Sequence, residues 1–152
     1  TSGDGPHLRS LADEHFQEAH SLSQQSQAAY HRGDKALASS LSQQSKAARA
    51  KAESLNADAA AAVFASHNPR YPGEYAEIDL HGLFVSEAVE RVEEHLVQCR
   101  QRGVQRTRII TGRGLHSSGG VAKIKPEVMR LMQSQGIRVV ESSQGGALEV
   151  EL

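Results

Sequence analysis

The chain has 152 residues, with 17 Lys and Arg against 18 Asp and Glu, a formal net charge of −1, one Cys and no Trp. With 38% hydrophobic and 4% aromatic residues, composition speaks against one large core, and a thin α/β core beside an extended helical part fits better. No apolar run approaches the roughly 18–20 residues of a membrane span, and lone Cys99 excludes an intrachain disulfide, which fits a reducing compartment, cytoplasmic or nuclear.

The opening "TSGDGPHL", residues 1–8, is expected to be a tag or a disordered lead-in, and the chain to be a fragment of something longer. Residues 9–67 read as helix, rich in Ala, Ser, Gln and Leu and broken once at "YHRGDKAL". Gly33 suits the left-handed residue after a helix, and Asp34 suits the N-cap of the next. In that second helix Leu37, Leu41, Gln44, Ala48, Ala52, Leu55, Ala59 and Ala62 form a narrow stripe. A long antiparallel helical hairpin is the expectation, ended by Asn68-Pro69, because a residue before proline is pushed out of the helical region. Such an arm is expected to dock a partner or extend its binding surface. Residues 68–76 read as a linker.

From residue 77 the texture changes. "AEIDLHG" predicts a short strand, and Ser86 can cap a helix with an apolar face of Val89, Val92, Leu96 and Cys99. "TRIIT" is a second strand, and Pro126 fits the first turn of a second helix carrying Val128, Leu131 and Met132. "IRVVES" and "ALEVEL" close the chain as a hairpin around Gly145-Gly146. The order is βαβαββ, a two-layer α/β (α+β) domain over residues 77–152 whose last strand returns antiparallel.

Chemistry concentrates in two places. Asp79 and His81, two apart on the first strand, project from one face, where the carboxylate can orient the imidazole and the imidazole can move a proton. The second is "ITGRGLHSSGGVAKIKP", residues 110–126, which holds no carboxylate. Its glycines Gly112, Gly114, Gly119 and Gly120 let backbone N–H groups approach an anion, Arg113 offers a planar fork to a phosphate, and His116, Ser117 and Ser118 add donors. Between Glu94 and Glu127 no acidic residue occurs, so Arg106, Arg108, Lys123 and Lys125 extend a window of one sign. In a right-handed βαβ unit both strand ends reach one sheet edge, which places the loop near Asp79 and His81.

Ser117 stands where a dinucleotide fingerprint needs its third glycine, and Gly120 where a P-loop needs lysine. Neither a cofactor nor a metal is expected, since no metal-ligand spacing joins Asp79, His81 and His116. His15, His20, His31, His67 and His95 lie in helices without a partner pattern and read as surface or packing residues.

The motifs "IDLHG" at 78–82, "ITGRGLHSSGGVAKIKP" at 110–126 and terminal "ALEVEL" resemble the Smr (small MutS-related) domain across residues 76–152. Residues 9–67 are similar to the DUF1771 helical extension that precedes Smr domains in eukaryotes. The resemblance implies a fold like the C-terminal domain of translation initiation factor 3. It also implies nucleic-acid binding and endonuclease activity, including cleavage of mRNA at stalled or collided ribosomes. The family's D-x-H motif falls on Asp79 and His81, and its G-x-G motif on Gly112-Arg113-Gly114. The expected partner is RNA, with the ribosome and DNA as further candidates, no membrane, and a monomeric chain. Two rival readings stand beside an RNA endonuclease: a non-catalytic RNA- or ribosome-binding module, and a DNA nickase that would use Mg²⁺ or Mn²⁺.

Overall fold

A computed structural model describes residues 5–112, 123–143 and 145–152. The chain divides into two compact units, the second beginning at Val63.

The first unit is built on two helices, α1 (Gly5–His31) and α2 (Lys35–His67), the last turn of α2 belonging to the second unit. α1 starts four residues ahead of the sequence reading, because Pro6 in the first turn lacks only an N–H that has no helical partner there. The connection is as anticipated: Gly33 has φ 87°, and the Asp34 carboxylate accepts from the Leu37 N–H at 3.1 Å. The helices run antiparallel, since Ser26 Oγ donates to the Ala38 carbonyl, Ser45 Oγ to the Ala19 carbonyl, and Arg9 to Asn56. The buried residues include Ala12, Ala19 and Ala29 against Ala38, Ser45, Ala48, Ala52, Ala59 and Ala60. The stripe is therefore shifted from the expected one at its start, with Leu37 exposed. Serine-to-carbonyl hydrogen bonds of 2.7 Å cross the seam, which is lined by small residues that let two helices approach closely.

The second unit holds β1 (Glu77–Asp79), α3 (Val85–Gln101), β2 (Arg106–Ile110), α4 (Ile124–Ser134), β3 (Arg138–Glu141) and β4 (Ala147–Glu151). The order βαβαββ matches the expectation. The sheet order is β1-β2-β4-β3, with β1 parallel to β2 and β4 antiparallel to both neighbours. One sheet face sends Ile78, Ile109, Leu148 and Val150 into a core closed by Val92 and Leu96 of α3 and Val128 and Met132 of α4. Burial of these aliphatic side chains supplies the main stabilising term. α3 does not use Ser86 as its cap. The chain turns at Phe84, whose N–H donates to the Glu87 carboxylate at 2.9 Å, so the acid three residues on replaces the hydroxyl. Among the described residues no helix is long and apolar enough to cross a membrane.

Among the described residues the core contains one imidazole. His95 is fully buried on α3, the packing side of the surface-or-packing role expected of it. Thr107 Oγ1 donates to the Tyr75 carbonyl at 2.9 Å, so it accepts from His95 Nε2 at 2.7 Å, and Nδ1 is left as an unprotonated, unpartnered atom. Burial pushes His95 down to about 4 from 6.5, and burial also pushes the neighbouring Cys99 thiol up, with Thr107 beside it acting in the opposite direction.

This burial fixes a pH dependence. The unfolded chain takes a proton on His95 near pH 6.5, whereas the folded chain resists until about 4. Stability is then complete above pH 6.5 and falls as pH drops toward 4, by roughly 3 kcal/mol at about 1.4 kcal/mol per pH unit. His95→Gln keeps a donor for Thr107 and cannot titrate. Urea unfolding between pH 7.5 and 4 should show a shallower decline for this variant than for the parent. Parallel declines would assign the loss to carboxylates instead.

Candidate active site

β1 is an edge strand, so one side of it lacks a strand partner. Asn68, the residue after α2, supplies one. Its side-chain carbonyl accepts from the Asp79 N–H at 2.8 Å, and its amide donates to the Asp79 carbonyl at 2.8 Å and the Phe64 carbonyl at 2.9 Å. In the sequence, Asn68 reads only as a helix terminator.

The strand stops at Asp79, two residues short of His81, and the reason is local. Asp79 Oδ1 accepts from the His81 backbone N–H at 3.1 Å, closing an Asx-turn, and from His81 Nδ1 at 2.6 Å. The expected pairing of Asp79 with His81 is therefore made by a turn centred on the carboxylate rather than by alternation along a strand. The His81 side chain is half exposed and that of Asp79 one-fifth exposed.

His67 is the third member, a neighbour of the Asp79–His81 pair that its reading as a surface or packing residue without a partner does not anticipate. Its ring stacks on that of His81 with centroids 3.8 Å apart and planes inclined by 15°. His67 Nδ1 lies 3.1 Å from the His81 carbonyl. A carbonyl only accepts, so this Nδ1 carries the proton. The same logic puts a proton on His81 Nδ1 against the Asp79 carboxylate. Both Nε2 atoms are then lone-pair bearers in the neutral rings.

His67, Asp79 and His81 offer donor atoms all within 4.8 Å of one another, a set that could hold a metal ion. The stack opposes a shared ion, however. Ring planes this nearly parallel meet only far beyond the roughly 2.0–2.1 Å of a metal–imidazole bond, so both rings can bind one ion only by unstacking.

Gly112 follows β2 with φ 81°, a backbone state that favours glycine, and a Cβ there would lie 3.2 Å from His81 Cβ. The start of the glycine-rich stretch thus touches His81. Arg113, Gly114, His116, Ser117, Ser118, Gly119 and Gly120 lie outside the described residues. Arg108 lines a cleft of about 590 Å³ together with His67, Arg70, Glu77, Asp79 and Ile110. Arg106 stands farther off, 3.9 Å from Glu151, while Arg108 lies 3.4 Å from Glu149. Lys123 precedes α4, and Lys125 in its first turn is ion-paired with Glu141. The positive window of the sequence is in part neutralised, because β4 lays Glu149 and Glu151 beside β2.

The Smr domain family model matches residues 78–149, and the DUF1771 domain-of-unknown-function model matches residues 7–68. The Smr domain-containing protein C11H11.03c of Schizosaccharomyces pombe is 36% identical over 145 residues, covering 95% of this chain and 69% of that protein. The chain belongs to the Smr domain family. Endonuclease NBR9 of Saccharomyces cerevisiae is 39% identical over 146 residues, covering 95% of this chain and 60% of that protein. The chain therefore spans less than two thirds of this relative. The solution structure of the B3BP Smr domain superposes with a TM-score of 0.50 at 37% identity, covering 62% of this chain and 92% of that one. His67 and Asn68 fall within the DUF1771 match, and Asp79, His81 and Gly112 within the Smr match.

Asn68→Ala tests the clamp. It strips the Asp79 N–H and carbonyl of partners at the site's edge, and neutral hydrogen bonds contribute about 1 kcal/mol each. Urea unfolding should show a loss of about 2–3 kcal/mol, and a loss below about 0.5 kcal/mol would show that the clamp holds nothing.

Proposed function

We propose that this Smr chain is an endonuclease that cuts RNA by attack of a 2′-hydroxyl on the adjacent phosphate. The observation that carries the reading is the 2.6 Å contact between Asp79 Oδ1 and His81 Nδ1 on a half-exposed ring. Family membership and the relative named an endonuclease support it.

In this reading His81 Nε2 takes the proton from the 2′-hydroxyl. Asp79 holds the opposite ring nitrogen and stabilises the positive charge that the ring acquires, as a carboxylate does behind a general base. Arg113, in the family's G-x-G motif, together with the loop amides from Gly112 to Gly120, is assigned to the scissile phosphate, where fixed donors stabilise developing charge. Arg108 in the cleft is assigned to an adjacent phosphate, and Arg106, Lys123 and Lys125 to longer-range attraction. The attacking oxygen belongs to the substrate, so this route requires no metal-bound water. The natural substrate we assign is mRNA on a stalled ribosome in the cytoplasm, and the fold likeness to the C-terminal domain of translation initiation factor 3 belongs to the same family resemblance.

Matched RNA and DNA oligonucleotides, incubated with and without EDTA, test this. RNA should be cut in both conditions to leave 2′,3′-cyclic phosphate and 5′-hydroxyl ends, and DNA should stay whole. His81→Ala should slow cleavage by about 10²–10⁴ while retaining salt-sensitive binding. Cleavage by His81→Ala at the parental rate would sink the mechanism. Binding without any cut would leave a binding module, and EDTA-sensitive nicking of DNA would replace RNA chemistry with metal-dependent hydrolysis.

A further inference from the structure

The acid–base chemistry of Asp79 and His81 leaves one proton without a carrier. Attack by the 2′-oxygen forms the P–O2′ bond and breaks the P–O5′ bond. One proton must leave the 2′-oxygen, and another must reach the departing 5′-oxygen. His81 with Asp79 accounts for the first only.

From the geometry we infer that His67 supplies the second proton, so that two stacked imidazoles, one from each side of the DUF1771–Smr junction in the sequence, act as acid and base on one RNA phosphodiester. The inference rests on the proposed RNA cleavage. Four features of the site point to it. The His67 ring lies 3.8 Å from that of His81, close enough for the two rings to address two oxygens of a single phosphate. Its Nδ1 is committed to the His81 carbonyl, so Nε2 is the atom that exchanges protons. Among the described residues, neither ring's Nε2 has a hydrogen-bond partner. Finally, Asn68, bonded on one side to Asp79 and on the other to Phe64, fixes the backbone next to His67, which gives the preorganisation that proton transfer requires.

The roles follow from the asymmetry of the pair. Only His81 has a carboxylate behind it, at 2.6 Å, and that carboxylate stabilises the charge arising as the ring takes a proton. His81 is therefore the base. His67, held by a neutral carbonyl, begins as the imidazolium and releases its Nε2 proton to the 5′-oxygen. At the end His81 carries the added proton, His67 is neutral, and exchange with solvent restores both.

The test compares ordinary RNA with RNA carrying a 5′-bridging sulfur at the cleavage site, whose thiolate leaves without being protonated. His67→Phe keeps a ring to stack on His81, and His67→Asn keeps an N–H for the His81 carbonyl. Both lack Nε2. Each variant in the full chain should cut ordinary RNA at least about 10²-fold more slowly than the parent and the sulfur substrate within a few-fold of the parent. His81→Asn should be slow on both substrates. Parental rates on ordinary RNA for the His67 variants, or equal losses on both substrates, would overturn the inference while RNA cleavage itself stands. Rescue by sulfur at His81 rather than His67 would overturn the assignment of His81 as base and His67 as acid. A parent chain that cuts neither substrate would remove the RNA reading first, and this inference with it.

Discussion

The side-chain amide of Asn68 meets the backbone of Asp79 twice, once as acceptor and once as donor, both at 2.8 Å. That two-point contact does for the outer edge of β1 what a neighbouring strand would do. It also decides where α2 ends. The same amide nitrogen donates to the Phe64 carbonyl, and Pro69 follows, so the helix cannot continue past His67. One side chain thus ties a helix end to a strand end. The imidazole one residue before the clamp and the carboxylate inside it are brought to the same place. Without the clamp, the ring stack and the 3.1 Å hydrogen bond to the His81 carbonyl would still hold His67 over His81, but its backbone would lose its tie to Asp79.

Asp79 is the point where these constraints meet. Its backbone is held by Asn68, while its carboxylate closes the turn to the His81 N–H and holds the His81 ring. A glutamate would carry the same charge with a longer arm and could not close the same turn. The turn also delivers His81 next to Gly112, where a Cβ would come within 3.2 Å of the His81 Cβ. Local chain stiffness therefore does the work that a bound metal would do elsewhere, fixing an imidazole tautomer and its direction.

Much of this was readable from short-range pattern. The caps at Asp34 and Gly33, the two helix faces, the hairpin at Gly145-Gly146 and the Asp79–His81 couple all depend on residues a few positions apart, where spacing carries the information. What spacing could not carry were contacts between distant segments. His67 lies 14 residues from His81 in a helix whose composition is Ala and Ser, and nothing in its register singles it out. His95 was equally silent, because it fills a core position with a polar ring whose only described oxygen partner, Thr107, sits on another element. The arginines of β2 misled in the opposite way. Along the chain they form a run of one sign, but antiparallel pairing sets Arg108 opposite Glu149 and Arg106 opposite Glu151. The one available signal for His67 was its position immediately before Asn-Pro, a helix end that must be satisfied by something.

Charge arrangement then bears on how a polyanion would be recognised. The chain as a whole has a net charge of −1, and Arg106, Arg108 and Lys125 each stand beside an acidic partner, so these three do not present a bare positive field to a polyanion. Surface ion pairs of this kind contribute little to stability, on the order of 0–1 kcal/mol, and their arginines can exchange a carboxylate for a phosphate at small cost. Affinity built this way depends on a few well-placed groups rather than on accumulated field. It also lets the acidic strand β4 disfavour backbones that approach the sheet from the wrong side, since a phosphate lying over Glu149 and Glu151 meets like charge. The same strand that hides the basic window from a reader of the sequence would, in the folded chain, narrow the ways a polynucleotide can reach His67 and His81.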